Sequence, residues 1–426
     1  MVSGYEVMPL FNSPAKFQAV EGMTEQLHPI SEALKKDTCR FALFHLGFRP
    51  FFLAGMIFAI VAMLLWLLLY LPLGDIHLVS LSPVDWHAHE MIYGYSMAVI
   101  TGFLLTAIRN WTGIQTVHGP GLIVLVMLWL GARLMPFIPM DSNLQIMAGL
   151  DLMFMLGSLL AMLVPIVKAK QWNQLGIILI VSLLVVGNLL FYLGALQFLE
   201  QGVRWGLYVG LYVVLGMILI IGRRVIPFFI EKGVNGPAEI KNWHWIDITT
   251  VVLFILFAVF DIFTAHNGLV AALAMGLCVI NSIRLYGWYT SRIFSKPLLW
   301  VLYLAYAFIV TGFAMKVAGF IYGLSPTAHV HLFTIGGIGL MTTGMMARVT
   351  LGHTGRNVFE PPGILIAVFA LLVASVVFRV FLPLLLLEYY LWWIVLSQLL
   401  WIAAFLLLLW IYLPMLIKPR IDGRYG

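Results

Sequence analysis

Twelve stretches of about twenty mostly apolar residues, each long enough to cross the hydrocarbon core of a bilayer, run through this chain from residue 51 onward. They fall near 51–70, 87–108, 120–139, 144–168, 175–199 and 204–230, and then near 246–264, 267–288, 297–323, 329–351, 362–382 and 389–416. The expected fold class is therefore all-α, a polytopic membrane bundle of about twelve transmembrane helices. Composition agrees. Of 426 residues 62% are hydrophobic and only 10% charged, with a mean hydropathy of +1.01. A water-soluble surface usually needs about 25% charged residues, so lipid is the main solvent here. The net charge of +6 does not signal nucleic acid, because the basic residues are scattered between apolar runs.

The lysines and arginines orient the spans. Twenty of the 24 lie in alternate loops: Lys16, Lys35, Lys36, Arg40 and Arg49, then Arg109, Lys168 and Lys170, and so on to Lys418, Arg420 and Arg424. The intervening loops, such as 71–86 and 323–328, hold almost none. By the positive-inside rule both termini are expected in the cytoplasm of a bacterium, with the chain a multi-pass protein of its inner membrane. The organisation expected is a polar N-terminal arm over 1–44, a twelve-span domain over 45–418 and a short tail over 419–426. Heptads, solenoid repeats and low-complexity tracts are absent. Cys39 and Cys278 belong to no CxxC or CxxCH pattern and read as reduced thiols. No apolar stretch typical of a cleaved secretory signal precedes the first span.

The chemistry gathers on histidines. Span 2 opens with Asp85-Trp86-His87-Ala88-His89-Glu90, and span 10 with Thr327-Ala328-His329-Val330-His331. Both pairs are expected at the outer ends of their helices, at one depth. Ionisable residues in spans are costly and usually functional, whereas capping or interfacial polarity is the plainer reading. Residues two apart on a helix point roughly 200° away from each other, so each pair addresses two different neighbours. His87 and Glu90 are three apart and share a face, a spacing at which carboxylate and imidazole can approach one metal. Imidazole suits iron, copper, zinc or nickel. One face of span 2 and one of span 10 could supply the two axial ligands of a haem, leaving the others for a second metal.

Further charges sit at similar depth. Arg133, Lys316 and Arg379 fall in the outer third of spans 3, 9 and 11, and Asp151 and Asp261 lie there too. Buried cations need partners, here either haem propionates or the two aspartates. On the inner side, His45 and Arg49 precede span 1, and Arg348, His353 and Arg356 lie at the end of span 10. The positive-inside rule explains the arginines; His45 and His353 are candidates for a second haem or a lipid-headgroup site. Gly336, Gly337, Gly339 and Gly344 suit close helix packing or a flat macrocycle, and Met345 and Met346 read as core.

At these residues the sequence resembles the NnrS family of bacterial membrane proteins. The matching strings are Gly47-Phe48-Arg49-Pro50-Phe51-Phe52, Trp86-His87-Ala88-His89-Glu90-Met91 and Gly102-Phe103-Leu104-Leu105-Thr106-Ala107. Asn110-Trp111-Thr112-Gly113, Ala328-His329-Val330-His331 and Met346 through Arg356 (MARVTLGHTGR) complete them. The resemblance implies a twelve-span protein of the cytoplasmic membrane that holds haem b and copper and serves denitrification, nitric oxide metabolism or protection from nitrosative stress. On that reading His87, His89, His329 and His331 supply the metal ligands and Glu90 is a further ligand or a proton carrier. The His-x-His of span 10 is also similar to the helix that ligates two haems in haem–copper oxidases and nitric oxide reductases. Spans 6 and 7 lack the histidines of their second metal, and His244 and His266 merely flank span 7, so His89 or Glu90 would have to substitute in a copper site. The competing readings are a secondary transporter, and a haem-based nitric oxide sensor without turnover. The electron donor, and the histidine assigned to each metal, stay open.

Overall fold

The computed structural model describes residues 41–71, 78–234, 236 and 239–426. Along them run twelve helices long and apolar enough to cross a membrane: α1 (Phe48–Tyr70), α2 (Pro83–Thr112), α3 (Pro120–Phe137), α4 (Asn143–Lys168), α5 (Trp172–Ala195) and α6 (Gly202–Gly233). The second half contributes α7 (His244–Phe263), α8 (Asn267–Trp288), α9 (Pro297–Tyr322), α10 (Pro326–His353), α11 (Leu365–Leu385) and α12 (Leu387–Ile417). All twelve expected spans are present, in an all-α arrangement. Lys16, Lys35, Lys36, Arg40 and Cys39 lie outside the described residues, as does most of the expected arm.

Helix is the one local structure that pairs every backbone group inside a single lipid-immersed segment. Its ends are written in the sequence. Pro83, Pro120, Pro297 and Pro326 each open a helix, where a missing N–H costs nothing. Between the ends, side chains sort by face. On α4, Met153, Leu156, Leu160, Val164 and Val167 are exposed at helical spacing, whereas Asp151, Phe154, Met155, Ser158 and Met162 are buried. The exposed apolar stripe is the face that lipid covers.

α6 packs against both α2 and α10, and α2 and α10 touch each other, with α9 also packed on α10 and α12 closing against α1. The most apolar window of α2 is 83% buried and that of α10 72%, against 44% or less for α1, α3, α4, α5, α7, α8, α11 and α12. The two histidine-bearing helices are thus the two most enclosed.

The structure also draws attention to a correspondence that a scan for short repeats misses. At one constant spacing, His87 aligns with His329, His89 with His331, Gly94 with Gly336, Thr101-Gly102 with Thr343-Gly344 and Thr112-Gly113 with Thr354-Gly355. Shape follows sequence. Each helix begins at a Ser-Pro step whose serine accepts a backbone N–H, runs α-helical through its histidines, and then widens into a π segment, Glu90–Ser96 in α2 and Leu332–Gly339 in α10. Each ends at a glycine with positive φ, +68° at Gly113 and +78° at Gly355. α6, which packs against both, carries no histidine.

The tightest approach in the bundle is between α5 and α6. A Cβ on Gly202 would stand 2.6 Å from the Gly194 nitrogen and the Leu190 carbonyl oxygen, both backbone atoms that cannot swing aside. Gly202→Leu is therefore expected to lower stability by about 1–3 kcal/mol, the usual cost of overpacking. A drop in melting temperature of the detergent-purified protein, larger than that of a lipid-facing control such as Leu160→Ala, is the measurement that checks it.

Candidate functional site

A π segment begins in α2 directly after the two histidines. In α2 the first α-helical stretch, Pro83–His89, is only seven residues long before the helix widens at Glu90. Widening spoils the regular i to i−4 ladder, and two carbonyls are taken up by side chains instead. Trp129 Nε1 donates to the Gly94 carbonyl at 3.0 Å, and Ser96 Oγ donates to the Met91 carbonyl at 2.8 Å. A third π segment, Val377–Phe381 in α11, carries Arg379. π turns gather at functional places in many proteins.

The four histidines do not share one cluster; they occupy three places. His89 is fully buried on the side of α2 that meets α3, α4 and α5. Its Nδ1 lies 3.1 Å from Glu90 Oε1 and its Nε2 lies 2.9 Å from Asn188 Oδ1, with Asp151 Oδ2 at 3.5 Å. Asn188 Nδ2 donates to Asp151 Oδ2 at 2.9 Å, which turns its carbonyl oxygen toward the histidine. Tyr192 donates to the same carboxylate at 3.1 Å. Arg133 joins the two acids, Nε to Glu90 Oε2 at 2.8 Å and Nη2 to Asp151 Oδ1 at 2.7 Å, as charge contacts away from the ideal hydrogen-bond axis. Both nitrogens of His89 are engaged by protein.

Glu90 therefore does not stand beside His87, as the shared-face spacing suggests. The helix departs from α geometry at this residue, and the Arg133 guanidinium holds the carboxylate on the His89 side. Gly94 makes the room: a Cβ there would lie 2.7 Å from Glu90 Oε2 and from the Phe58 ring.

His87 looks the other way. Its ring stacks on Trp66 of α1, centroids 4.5 Å apart and planes 11° from parallel, and its Nδ1 is buried with no protein partner. His331 of α10 lies within electrostatic reach of it and of His329, and Arg379 of α11 is a neighbour of both His87 and His331. His331 Nδ1 donates to the Thr327 carbonyl at 2.7 Å, which fixes its tautomer and leaves Nε2 with the lone pair. No acidic partner of Arg379 occurs among the described residues; Tyr70 and Tyr390 are its neighbours.

His329 occupies the third place, toward α7 and α9. It is 4% exposed, and its Nε2 has no protein partner. Beside it Lys316 Nζ meets Asp261 Oδ1 at 2.6 Å, and Tyr212 donates to Asp261 Oδ2 at 2.5 Å. Arg133 and Lys316 thus each meet an aspartate, Arg133 with Glu90 besides. No group of three or more His, Cys, Asp or Glu side chains converges as a metal cage among the described residues.

The opposite end of the bundle is knitted by backbone contacts. Arg49 donates to the carbonyls of Met415, Leu416 and Lys418, capping the end of α12. His45 stacks on Tyr425 at 4.7 Å, and Tyr425 donates to the His45 carbonyl. The His353 ring lies 5.6 Å from that of Phe48, and its carbonyl accepts from Arg420. His45 and His353 are thus placed in separate ring contacts.

A family model described as NnrS protein matches residues 42–420. The chain belongs to the NnrS family. No curated protein matches it. Family membership and twelve spans make it a multi-pass membrane protein, consistent with the bacterial inner membrane. Three members of the histidine-side constellation in this NnrS-family chain escape the sequence reading. Asn188 and Tyr192 carried a usable signal, since a lone amide in an apolar span marks a hydrogen-bonded interior face, with the tyrosine one turn on. Trp66 carried none, because tryptophans near span ends are ordinary.

Asp151 is the most heavily used acceptor of the buried network. Asp151→Ala strands Arg133 beside a single carboxylate and is expected to cost about 3–5 kcal/mol. The check is a large loss of thermal stability compared with Asp422→Ala, whose carboxylate pairs with Arg420 at the exposed tail.

Proposed function

We propose that this NnrS-family protein is a haem-binding redox protein of the bacterial cytoplasmic membrane that acts in nitric oxide metabolism or protection from nitrosative stress. His87 and His331 would hold the haem. One observation carries this reading: two half-buried imidazoles in the first turns of α2 and α10, within electrostatic reach of each other, each have a nitrogen with no protein partner. The residues fit the group. Trp66 holds the His87 ring flat, the Thr327 carbonyl holds the His331 tautomer, and Arg379 stands ready for a propionate. When bound, such a haem supplies one-electron transfer at iron.

Copper finds a poorer fit. His89 has neither nitrogen to spare, and His329 alone, beside an ion pair, does not make a copper site among the described residues. The copper expectation stands on the family resemblance, and no step is assigned to it. The positive-inside pattern supports cytoplasmic termini, with the histidines near the opposite face. A sensor without turnover uses the same two ligands; steady consumption of nitric oxide by the reduced protein separates an enzyme from it.

The purified protein is expected to show a haem Soret band and a low-spin spectrum. His87→Ala and His331→Ala each remove most of the haem or its low-spin signature, whereas His118→Ala, outside the constellation, leaves both intact. Wild-type haem content and spectrum in the His87 and His331 variants would overturn the assignment.

A further inference from the structure

The short first stretch of α2 poses a mechanical problem. Pro83–His89 is joined to the long shaft Met97–Thr112 through a π segment, so the ladder that would transmit the shaft's orientation is interrupted where the histidines sit. Something else has to fix the angle at which His87 leaves the helix. In α10 the corresponding stretch is anchored by packing: Ala328 and Leu332 are buried against Val376 and Val380 of α11. In α2 the same stretch buries Trp86, its ring edge-on to that of Phe137. At His89 a polar anchor is added.

We propose that His89 is a positioning residue and not a metal ligand: with Glu90, Arg133, Asp151, Asn188 and Tyr192 it clamps the opening turns of α2 and so sets the direction of His87. Two residues apart on a helix means roughly opposite faces, so a ring pinned on one side aims its partner at the other. The pinning is strong because it comes from three helices. Arg133 reaches in from α3, Asp151 from α4, and Asn188 and Tyr192 from α5. Phe191 closes the fourth side by stacking on the His89 ring at 4.3 Å. Every member is buried, and each contact is directional, which apolar packing is not. Such a network specifies one arrangement where several would fit.

The inference rests on the proposed ligation by His87 and His331, and its test separates the two. The full chain is purified in detergent with its haem, and spin state and melting temperature are read for Asn188→Ala, Glu90→Gln and Gly94→Ala. Asn188→Ala removes no charge and frees His89 Nε2. Gly94→Ala keeps every network residue but puts a methyl 2.7 Å from Glu90 Oε2. If His89 positions His87, the haem stays bound through His331 while a substantial fraction turns from low-spin to high-spin. His89→Gln, which can still bond Glu90 or Asn188, then retains more of the low-spin form than His89→Ala. An unchanged low-spin spectrum in Asn188→Ala and Gly94→Ala, with wild-type haem in both, overturns the positioning role and leaves the ligation intact. Loss of low-spin haem in His89→Gln equal to that in His87→Ala also overturns it, because that is the behaviour of a ligand. A wild-type protein without haem, or a His331→Ala variant with a wild-type spectrum, defeats the underlying ligation itself. Should Glu90→Gln fail to fold, Asn188→Ala and Gly94→Ala still decide.

Discussion

Arg133 lies among apolar helices with a carboxylate on either side, Glu90 from α2 and Asp151 from α4. In hydrocarbon an uncompensated guanidinium is far too costly to persist, so its position dictates that both acids face it. That demand propagates. Glu90 turns away from His87 where α2 opens into its π segment, and Gly94 leaves the room in which the carboxylate fits. One buried cation thereby organises four helices on the histidine side. A second does similar work across the bundle, where Lys316 and Asp261 tie α9 to α7 with Tyr212 of α6. A third, Arg284, meets Asp247 at 2.7 Å and Tyr306 at 2.9 Å.

Much of this was legible before any coordinates. Span number and most span ends follow from hydropathy and from Pro and Gly signals, because lipid imposes helix and helix length together. The separation of His87 from His89 follows from the pitch of an α-helix, and Asp151 and Asp261 were recognisable as partners for Arg133 and Lys316. What failed was phase. Counting three residues from His87 to Glu90 assumes 100° per residue, an assumption that ends where the π segment begins. Nothing local in Glu90-Met91-Ile92-Tyr93-Gly94 announces the wider turn, and its contacts with Trp129 and Arg133 form only across helices. Pairing across helices was equally hidden, since Asn188 reaches His89 from about a hundred residues away.

The correspondence of α2 with α10 shows how like sequences come to unlike ends. Both helices offer two imidazoles on opposite faces at the same level. In α2 one is consumed by a salt network and the other stacks on Trp66; in α10 one is tied to its own backbone and the other sits beside an ion pair. The difference comes entirely from the neighbours, and α6, which packs against both, offers no imidazole at all. Ligand supply and ligand use are set by different parts of the chain.

The π segments carry a consequence for how such a bundle changes over time. A π turn holds one residue more than the α turn it replaces, so removing one residue between Glu90 and Ser96 would let the wide turn close to an ordinary α turn while Pro83–His89 and the shaft Met97–Thr112 nearly keep their seats. Gain or loss of a single codon there is absorbed locally, without re-aiming the histidines or disturbing the lipid-facing surface. The interior of such a helix can change length by one residue while its two ends stay where their neighbours hold them.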